Sequence, residues 1–368
     1  MLKRIEIQGY KSIKNLSIEF KNINILIGAN GAGKSNFISF FKFLRWMMQN
    51  PGQLQFFVAQ SGGANSFLFD GSEVTPQIKA ELNFETDAGR NDYCIRLFHA
   101  ASDTLIFAEE KYRFSNYIYN SFADWISLDS GHRESRLIDQ ANQGDRTARV
   151  ILSLIQKDCV VYQFHNTSDT ARIKRRWDIN DNRYLKEDAA NLAPFLWRLR
   201  EHEPKSYLRI VATVRQIAPF FADFVLEPIG NSVILQWREY NTDMIFSSHQ
   251  ASDGTLRSLS LITLLLQPED QLPDVIILDE PELGLHPYAI NIIAELMQSI
   301  SHRTQIILAT QSTILIDCFE PEDIIVVERR ERESLFHRLD SQRLQEWLED
   351  YLLSELWQKN VIGGRPSK

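Results

Sequence analysis

Cysteine is scarce in this sequence and never clustered. The three cysteines, Cys94, Cys159 and Cys318, are single and far apart in a chain of 368 residues. Neither a disulfide framework nor the paired spacing of a zinc site is therefore expected. Residues 1–4 run directly into a strand-like segment, without the pattern of a secretory signal. These features predict a reducing compartment, the cytoplasm.

Long apolar runs and long repeats are also missing. The longest apolar run, 256–266, is interrupted by Arg257 and is too short to cross a bilayer, which takes about 20 residues. Between Ser35 and Ser252 there is no heptad repeat with apolar a and d positions, so long coiled-coil arms are not expected. Membrane partners are not expected either.

The charge is only mildly one-sided. The sequence has 48 acidic and 40 basic residues, for a net charge of −8. This balance gives no overall attraction to nucleic acid, although it leaves room for a local basic patch. With 44% hydrophobic residues, a chain of this length can bury a large core in one or two domains.

The segment 28–35 has the spacing of a phosphate-binding loop, with glycine, four residues and then Gly-Lys-Ser. The apolar run 23–27 before it predicts a buried strand, and the stretch 36–49 after it predicts a helix. Backbone N–H groups and the helix dipole at such a helix N-terminus favour a polyphosphate. The segment therefore predicts a binding site for the polyphosphate of a nucleotide.

The residue types in this loop suit that ligand. The glycines let the backbone approach the phosphates, and the Lys34 ammonium supplies a cation to the β- and γ-phosphate oxygens. The hydroxyl of Ser35 can ligate Mg²⁺. The predicted nucleotide-binding residues of this segment are Asn30, Gly31, Gly33, Lys34, Ser35 and Asn36.

An apolar run at 275–278 ends in two carboxylates, Asp279 and Glu280. Such a run predicts a buried parallel strand, and ligands of open α/β sheets bind where these strands end. We expect Asp279 to hold Mg²⁺ through water. We expect Glu280 to orient and deprotonate the water that attacks the γ-phosphate.

Two further elements flank the acidic strand. Residues 252–255, Ser-Asp-Gly-Thr, open an apolar helix before it. Taken alone this turn is a common helix cap, although a helix N-terminus also binds anions. An apolar strand at 306–309 follows and leads into Gln311, whose amide can hydrogen-bond a phosphate oxygen or water but cannot titrate.

In this order the four elements resemble the ABC-type ATPases, and especially the ABC-like bacterial ATPases that are related to RecF and SMC heads and are often labelled AAA-type. The resemblance implies that Ser252 and Gly254 form the signature that caps the γ-phosphate held by a second subunit. It also implies a γ-phosphate switch at Gln311, where these ATPases usually have histidine. Residues 5–12 resemble the first strand of those heads, and Lys11 is accordingly expected near the nucleotide.

Shorter similar stretches extend the resemblance over nearly the whole chain. They lie at 161–168, 181–185, 191–196, 280–282, 285–287, 355–357 and 362–364. The middle and tail stretches identify the subfamily and carry no known chemistry. In the first of them, either Gln163 or His165 is a candidate for the glutamine that contacts Mg²⁺ or the attacking water in ABC ATPases. A structural role for both is the alternative.

The implied fold class is α/β, an ABC-type head with a mixed sheet, an antiparallel β-lobe and an inserted helical region. We expect an N-terminal ATPase lobe at 1–115, a mainly helical insertion at 116–225 and a C-terminal ATPase lobe at 226–368. The phosphate-loop helix is apolar nearly all round, which predicts burial between two layers. A single final helix is expected at 340–357, because apolar residues there recur at helical spacing.

The implied activity is slow hydrolysis of ATP, with Mg²⁺, by a two-fold homodimer that holds ATP at two composite sites. The implied output is a signal to a protein partner, such as a nuclease or toxin effector of antiviral defence against phages. A RecF-like DNA-binding repair ATPase is the alternative, and the ATPase subunit of a transporter is a further one. The basic run 172–176 beside Trp177 either binds a phosphate backbone or lines a solvated loop.

Overall fold

The computed structural model describes residues 1–50, 52–117 and 123–365. A six-stranded sheet lies at its centre. In spatial order its strands are β17 (Glu333–Arg338), β16 (Ile324–Arg330), β3 (Ile23–Ile27), β15 (Gln305–Thr310), β14 (Val275–Asp279) and β8 (Val161–Tyr162). All are parallel except β17, which forms a hairpin with β16. The carboxyl ends of five strands therefore meet at one edge.

The central strands are apolar along their length because both faces of this sheet are covered. Alternate side chains of β14 point to opposite layers: Val275 and Ile277 join one core cluster, and Ile276 and Leu278 join the other. The first core also contains helix α1 (Lys34–Met47). The second contains helices α5 (Leu192–His202), α6 (Pro204–Ile217), α7 (Asp253–Leu266) and α8 (Pro287–Ile300).

A second six-stranded sheet, antiparallel throughout, shares the core of α1. Its order is β2 (Ile13–Glu19), β1 (Leu2–Tyr10), β4 (Gln77–Thr86), β5 (Gly89–Ala100), β6 (Thr104–Ser115) and β7 (Ile126–Ser127). Helix α1 thus packs between two sheets, and Phe37, Phe40, Phe41 and Phe43 are fully buried. The predicted burial of this helix is confirmed.

The remaining elements are short. The helices are α2 (Gln53–Gln60), α3 (Leu137–Asn142), α4 (Arg146–Ser153), α9 (Thr313–Ile316), α10 (Ser341–Leu348) and α11 (Leu353–Gln358). The small strands are β9 (Trp177–Asp178), β10 (Phe221–Val225), β11 (Ser232–Val233), β12 (Gln236–Glu239) and β13 (Ile245–Ser247). Among its described residues, the span 116–225 holds helices α3 to α6, strand β8 of the central sheet and the short strands β7, β9 and β10. The expected boundary near 116 adjoins residues 118–122, which lie outside the described residues, so the three-part division stays a prediction.

The expectation of a single final helix at 340–357 is wrong. Residues 349–352 separate α10 from α11. The chain turns there because α11 is fixed to the body: the backbone N–H and the hydroxyl of Ser354 donate to the Asp317 carboxylate, at 2.8 and 2.6 Å. Leu353 and Leu356 of α11 are buried in the core.

Helices are short throughout the described part of the chain. The longest have 14 residues, so the coiled-coil arms that the sequence lacks are absent from these ranges as well. Among the described residues there is also no helix whose length and apolar character would let it cross a membrane.

Candidate nucleotide-binding site

The segment 28–35 connects β3 to α1 at the carboxyl edge of the central sheet. Two of its glycines, Gly28 and Gly33, are required by the β16–β17 hairpin, which lies directly against them. A Cβ on Gly28 would lie 2.2 Å from the carbonyl oxygen of Val327, and one on Gly33 would lie 2.0 Å from Oγ of Ser334. Both glycines also have positive φ, 155° and 118°. The loop therefore adopts a shape that other residues cannot take at these positions.

Hydroxyl and amide side chains tie the second half of the loop to its surroundings. Ser334 Oγ donates to the carbonyl oxygen of Ala32 at 2.6 Å and lies 2.7 Å from Ser12 Oγ. The Asn36 amide donates to the same Ser12 hydroxyl at 2.7 Å. Asn36 is thus placed beside the loop, with its amide directed at Ser12.

The outer side of the loop faces solvent. Asn30, Gly31 and Ser35 are exposed, as residues must be if a phosphate is to reach them. From strand β16, the Arg329 guanidinium donates to the carbonyl oxygen of Gly31 at 3.2 Å. This contact brings a second cation to the open side of the loop.

The Lys34 side chain turns back into the loop. Its ammonium donates to the carbonyl oxygens of Gly28 and Ala29, at 2.5 and 3.3 Å, and only 5% of the residue is exposed. Burial lowers the pKa of Lys34, while the carboxylates of Glu280 and Asp279 act in the opposite direction. The predicted phosphate-binding cation and the predicted acidic pair therefore lie close enough to interact.

Asp279 ends strand β14, as predicted, and its two carboxylate oxygens have different surroundings. Oδ2 accepts a hydrogen bond from the Gln163 amide at 2.8 Å. Oδ1 is buried, and no described residue gives it a hydrogen bond. Burial raises the pKa of Asp279. An orphaned buried carboxylate oxygen is costly unless a cation or water binds it.

These oxygens suit Mg²⁺, which prefers hard oxygen ligands and is commonly held by one or two carboxylates together with substrate phosphates. Oδ1 of Asp279 and the exposed Ser35 hydroxyl are oxygen ligands of that kind. The described residues include no group of three or more His, Cys, Asp or Glu side chains that could hold a metal by themselves. Mg²⁺ at this position would take phosphate oxygens and waters as its remaining ligands.

Gln163 and His165 follow strand β8, next to β14 in the sheet. The Gln163 amide contacts the Asp279 carboxylate, and its carbonyl oxygen accepts a hydrogen bond from the Lys42 ammonium on α1. The His165 ring contacts only the main-chain oxygen of Glu280, at 3.3 Å, among the hydrogen bonds of the described residues. Of the two candidates, Gln163 has the side-chain contact with the predicted metal ligand.

The Glu280 side chain is held by the predicted switch residue. Glu280 has a positive φ of 45°, which places it at the sharp turn after β14. Nε2 of Gln311 donates to Oε1 of Glu280 at 2.5 Å. Positive φ costs a non-glycine residue about 1–3 kcal/mol, and such strain is concentrated at functional sites.

Sequence reasoning missed Glu282. Its Oε1 accepts a hydrogen bond from the Thr310 hydroxyl at 2.5 Å and another from the Gln311 N–H at 3.2 Å. Burial raises the pKa of Glu282. These hydrogen bonds connect the turn after β14, which contains Glu282, to the end of β15, which Gln311 directly follows. The signal in the sequence was a second carboxylate only two residues after Glu280.

Lys11 follows strand β1, and its side chain lies against α1 rather than against the loop. Its ammonium donates to Ser39 Oγ at 3.0 Å and sits 5.6 Å from the ring centre of Phe67. Burial and the nearby Lys42 ammonium lower the pKa of Lys11. No hydrogen bond among the described residues joins Lys11 to the loop, so its nucleotide contact stays a prediction.

The signature turn has the predicted local structure. Ser252 caps α7, and its hydroxyl accepts the N–H of Thr255 at 3.1 Å. A Cβ on Gly254 would lie 2.5 Å from the carbonyl oxygen of Gly284, so the helix start packs closely on the turn after β14. Within the described ranges no hydrogen bond connects Ser252 or Gly254 to the phosphate loop.

A family model matches most of this sequence. The model described as "AAA domain, putative AbiEii toxin, Type IV TA system" matches residues 23–317. The chain belongs to this family. The matched range contains Lys34, Asp279, Glu280 and Gln311. No curated protein matches the sequence.

Solved structures of Smc heads share the fold. The Smc head bound to the C-winged helix domain of ScpA has a TM-score of 0.64 at 16% identity, covering 94% of this chain and 99% of that one. A Pyrococcus furiosus Smc head with an extended coiled coil, bound to the C-terminal domain of ScpA, gives 0.56 at 14%, covering 95% and 98%. A Pyrococcus yayanosii Smc head with a coiled coil and joint gives 0.54 at 12%, covering 95% and 99%.

At these identities the likeness shows the fold alone. It confirms the expected fold class, an ABC-type ATPase head built from mixed α and β structure. Family and fold together establish an ABC-like, AAA-type ATPase. The roles of the individual site residues stay predictions.

The Glu282 contacts predict a stability effect that is independent of any ligand. Glu282→Ala should leave the buried Thr310 hydroxyl and the Gln311 N–H without their acceptor, at a cost of about 1–3 kcal/mol. Glu282→Gln keeps a carbonyl oxygen as acceptor and should retain wild-type stability. Denaturant unfolding measures the midpoints, with Glu269→Ala, an exposed glutamate of the same chain, as control. A Glu282→Ala midpoint equal to wild type would show that these contacts do not hold the strand end.

Proposed function

We propose that this chain binds ATP with Mg²⁺ at the loop 28–35 and hydrolyses it slowly. The observation that carries this proposal is the convergence of Lys34, Asp279, Glu280 and Gln311 at one edge of the parallel sheet. Their side chains are positioned by hydrogen bonds and by mutual charge. These are the residue types that phosphoryl transfer to water requires.

In the proposed reaction, Glu280 accepts a proton from the water that attacks the γ-phosphorus. A bond forms between the water oxygen and phosphorus, and the bond from phosphorus to the β–γ bridging oxygen breaks, giving ADP and phosphate. Gln311 fixes the orientation of the Glu280 carboxylate. Lys34 is the cation placed to bind β- and γ-phosphate oxygens. Mg²⁺ held by Ser35 and, through water, by Asp279 would neutralise phosphate charge.

We further propose that two copies close around two ATP molecules. Ser252 and Gly254 form an anion-binding helix N-terminus, yet the described hydrogen bonds leave them unconnected to the loop of their own chain. In a two-fold dimer the same two surfaces of each copy meet reciprocally, so each ATP would lie between one loop and the other copy's signature. ATP binding would then close the dimer, and hydrolysis would open it.

The proposed output of this cycle is a conformational signal to a protein partner, such as a nuclease or toxin effector of phage defence. The description of the matched family names a toxin of a type IV toxin–antitoxin system, and this description applies to the family itself and names no partner. DNA as the partner has less support. The Arg172 guanidinium, paired with Asp188, lies 4.8 Å from the ring centre of Trp177 and occupies the aromatic surface on which a base would stack.

Glu280→Gln should separate binding from chemistry. The amide keeps the size of the side chain but cannot accept the proton, and loss of a general base typically costs about 10²–10⁴-fold in rate. ATP affinity should be retained, because Lys34 and the loop are unchanged. Single-turnover hydrolysis and equilibrium binding measure the two effects. Hydrolysis at the wild-type rate would exclude Glu280 as the base.

Ser252→Arg should show whether the signature acts across an interface. The variant places bulk and charge at the start of α7, so ATP should still bind each Lys34 site while dimer closure and hydrolysis fail. Lys34→Ala should be inactive for a different reason, because it should no longer bind ATP. In a mixed dimer one composite site carries both defects and the other carries neither, so mixing two inactive proteins should restore part of the activity.

Subunit exchange is verified in the same mixture with two differently tagged proteins. If the subunits exchange and no activity returns, the hypothesis that the two sites work independently and that Ser252 acts on the other subunit's ATP would be contradicted. Normal hydrolysis by Ser252→Arg alone would reject the signature assignment.

A further inference from the structure

The C-terminal segment of the described chain lies against the start of the phosphate loop. The N–H of Ala29 donates to the carbonyl oxygen of Gly364 at 2.9 Å. The N–H of Gly364 donates in turn to Oε1 of Glu328, on strand β16, at 3.0 Å. Residues 362–364, which we call the tail strap, therefore bridge the central sheet and the loop.

The strap requires glycine at both of its final positions. Gly363 and Gly364 each have a φ of +81°. A Cβ on Gly364 would lie 2.9 Å from Cγ1 of Val326 and 3.0 Å from the indole nitrogen of Trp357, with the Cα of Gly28 at 3.6 Å. Any side chain at residue 364 would push the strap away from the loop.

The residues before these glycines are fixed in place. Ile362 is buried in the core, and the N–H of Val361 donates to the carbonyl oxygen of Leu356 at 2.9 Å. The Gly364 N–H, with Arg330 nearby, holds the pKa of Glu328 below its usual range. The contacts of the strap thus involve a packed apolar residue, a carboxylate and a main-chain hydrogen bond.

The hydrogen bond from Ala29 to Gly364 and the hydrogen bond from Lys34 to Gly28 involve the same peptide group. The N–H of Ala29 and the carbonyl of Gly28 belong to one planar unit. Gly364 accepts from its N–H, while the Lys34 ammonium donates to its oxygen at 2.5 Å. Fixing one end of a planar group fixes the direction of the other. The strap therefore determines where the oxygen that holds the Lys34 ammonium points.

We propose that the tail strap positions Lys34 for nucleotide binding through the peptide group between Gly28 and Ala29. This inference rests on the proposed function, in which the loop binds ATP. Gly364 and Glu328 are positioning residues: they act through the loop and need no contact with the nucleotide. The C-terminal segment, more than 300 residues from the loop in sequence, thereby becomes part of the ATP site.

The test compares two glycine substitutions that impose similar backbone strain. Gly364→Ala adds a methyl group where the strap has no room. Gly131→Ala is the matched control, because Gly131 has a φ of +83° and nothing within 4 Å of its Cβ position. Isothermal titration with Mg·ATP should show affinity weakened by about tenfold for Gly364→Ala, the loss of about one well-placed hydrogen bond. Gly131→Ala should bind as wild type, and the unfolding midpoint of each variant shows whether its fold is intact.

A second pair of variants tests the strap without altering a glycine. Glu328→Ala removes the acceptor of the Gly364 N–H and should also weaken ATP binding. Glu328→Gln keeps a side-chain oxygen and should restore the affinity, a rescue that is not expected if the residue only contributes charge. These variants decide the matter if Gly364→Ala does not fold.

Three results would overturn the inference. The first is wild-type ATP affinity in both Gly364→Ala and Glu328→Ala. The second is equal weakening in Gly131→Ala, which would assign the effect to general strain. The third is a failure of Glu328→Gln to restore binding. Failure of the wild-type protein itself to bind Mg·ATP would be a different result, since it would reject the proposed function along with the strap's role.

Discussion

The parallel pairing of β3, β15 and β14 determines where every part of the candidate site lies. Ala309 of β15 is level with Leu26 of β3 on one side and with Asp279 of β14 on the other. The phosphate loop and Glu280 therefore emerge from the same edge of the sheet, although they are far apart in sequence. A shift of this register would separate Lys34 from the carboxylates that stabilise its charge.

Charge burial at this edge is a cost that the rest of the site offsets. Burial raises the pKa values of Asp279 and Glu282 and lowers that of Lys34. Each of these groups is partly compensated, by the Gln163 amide, by the Thr310 hydroxyl or by loop carbonyls. One oxygen of Asp279 has no such partner among the described residues. Buried charged groups with fixed partners and an unpaired oxygen are typical of binding and catalytic centres.

Much of the fold follows from local patterns in the sequence. The apolar run 23–27, the glycines of 28–35 and the apolar helix after them predict the strand, loop and buried helix that the structure has. Ser252 caps α7 because its hydroxyl can accept a backbone N–H, which is a purely local property. Asp279 and Glu280 lie at the sheet edge because they directly follow the apolar run 275–278, which forms strand β14.

The features that the sequence did not predict depend on contacts between distant segments. Glu282 acquires its role only because Thr310 lies beside it in the folded chain. The break at 349–352 depends on Asp317, which fixes Ser354. The glycines at 363 and 364 were visible in the sequence, but their contact with Ala29 exists only through the sheet that joins β3 to β16. No local pattern contains that information.

Equilibrium titration of the wild-type chain and Lys34→Ala with Mg·ATP tests the central claim most directly. The wild-type protein should bind one ATP per chain. Lys34→Ala should lose charge-assisted hydrogen bonds worth about 1.5–3 kcal/mol each, which weakens binding by about 10- to 150-fold for each bond lost. Its unfolding midpoint reports whether the fold is intact. Equal ATP affinity in a folded Lys34→Ala protein would contradict the account, because the loop 28–35 would then not be the nucleotide site.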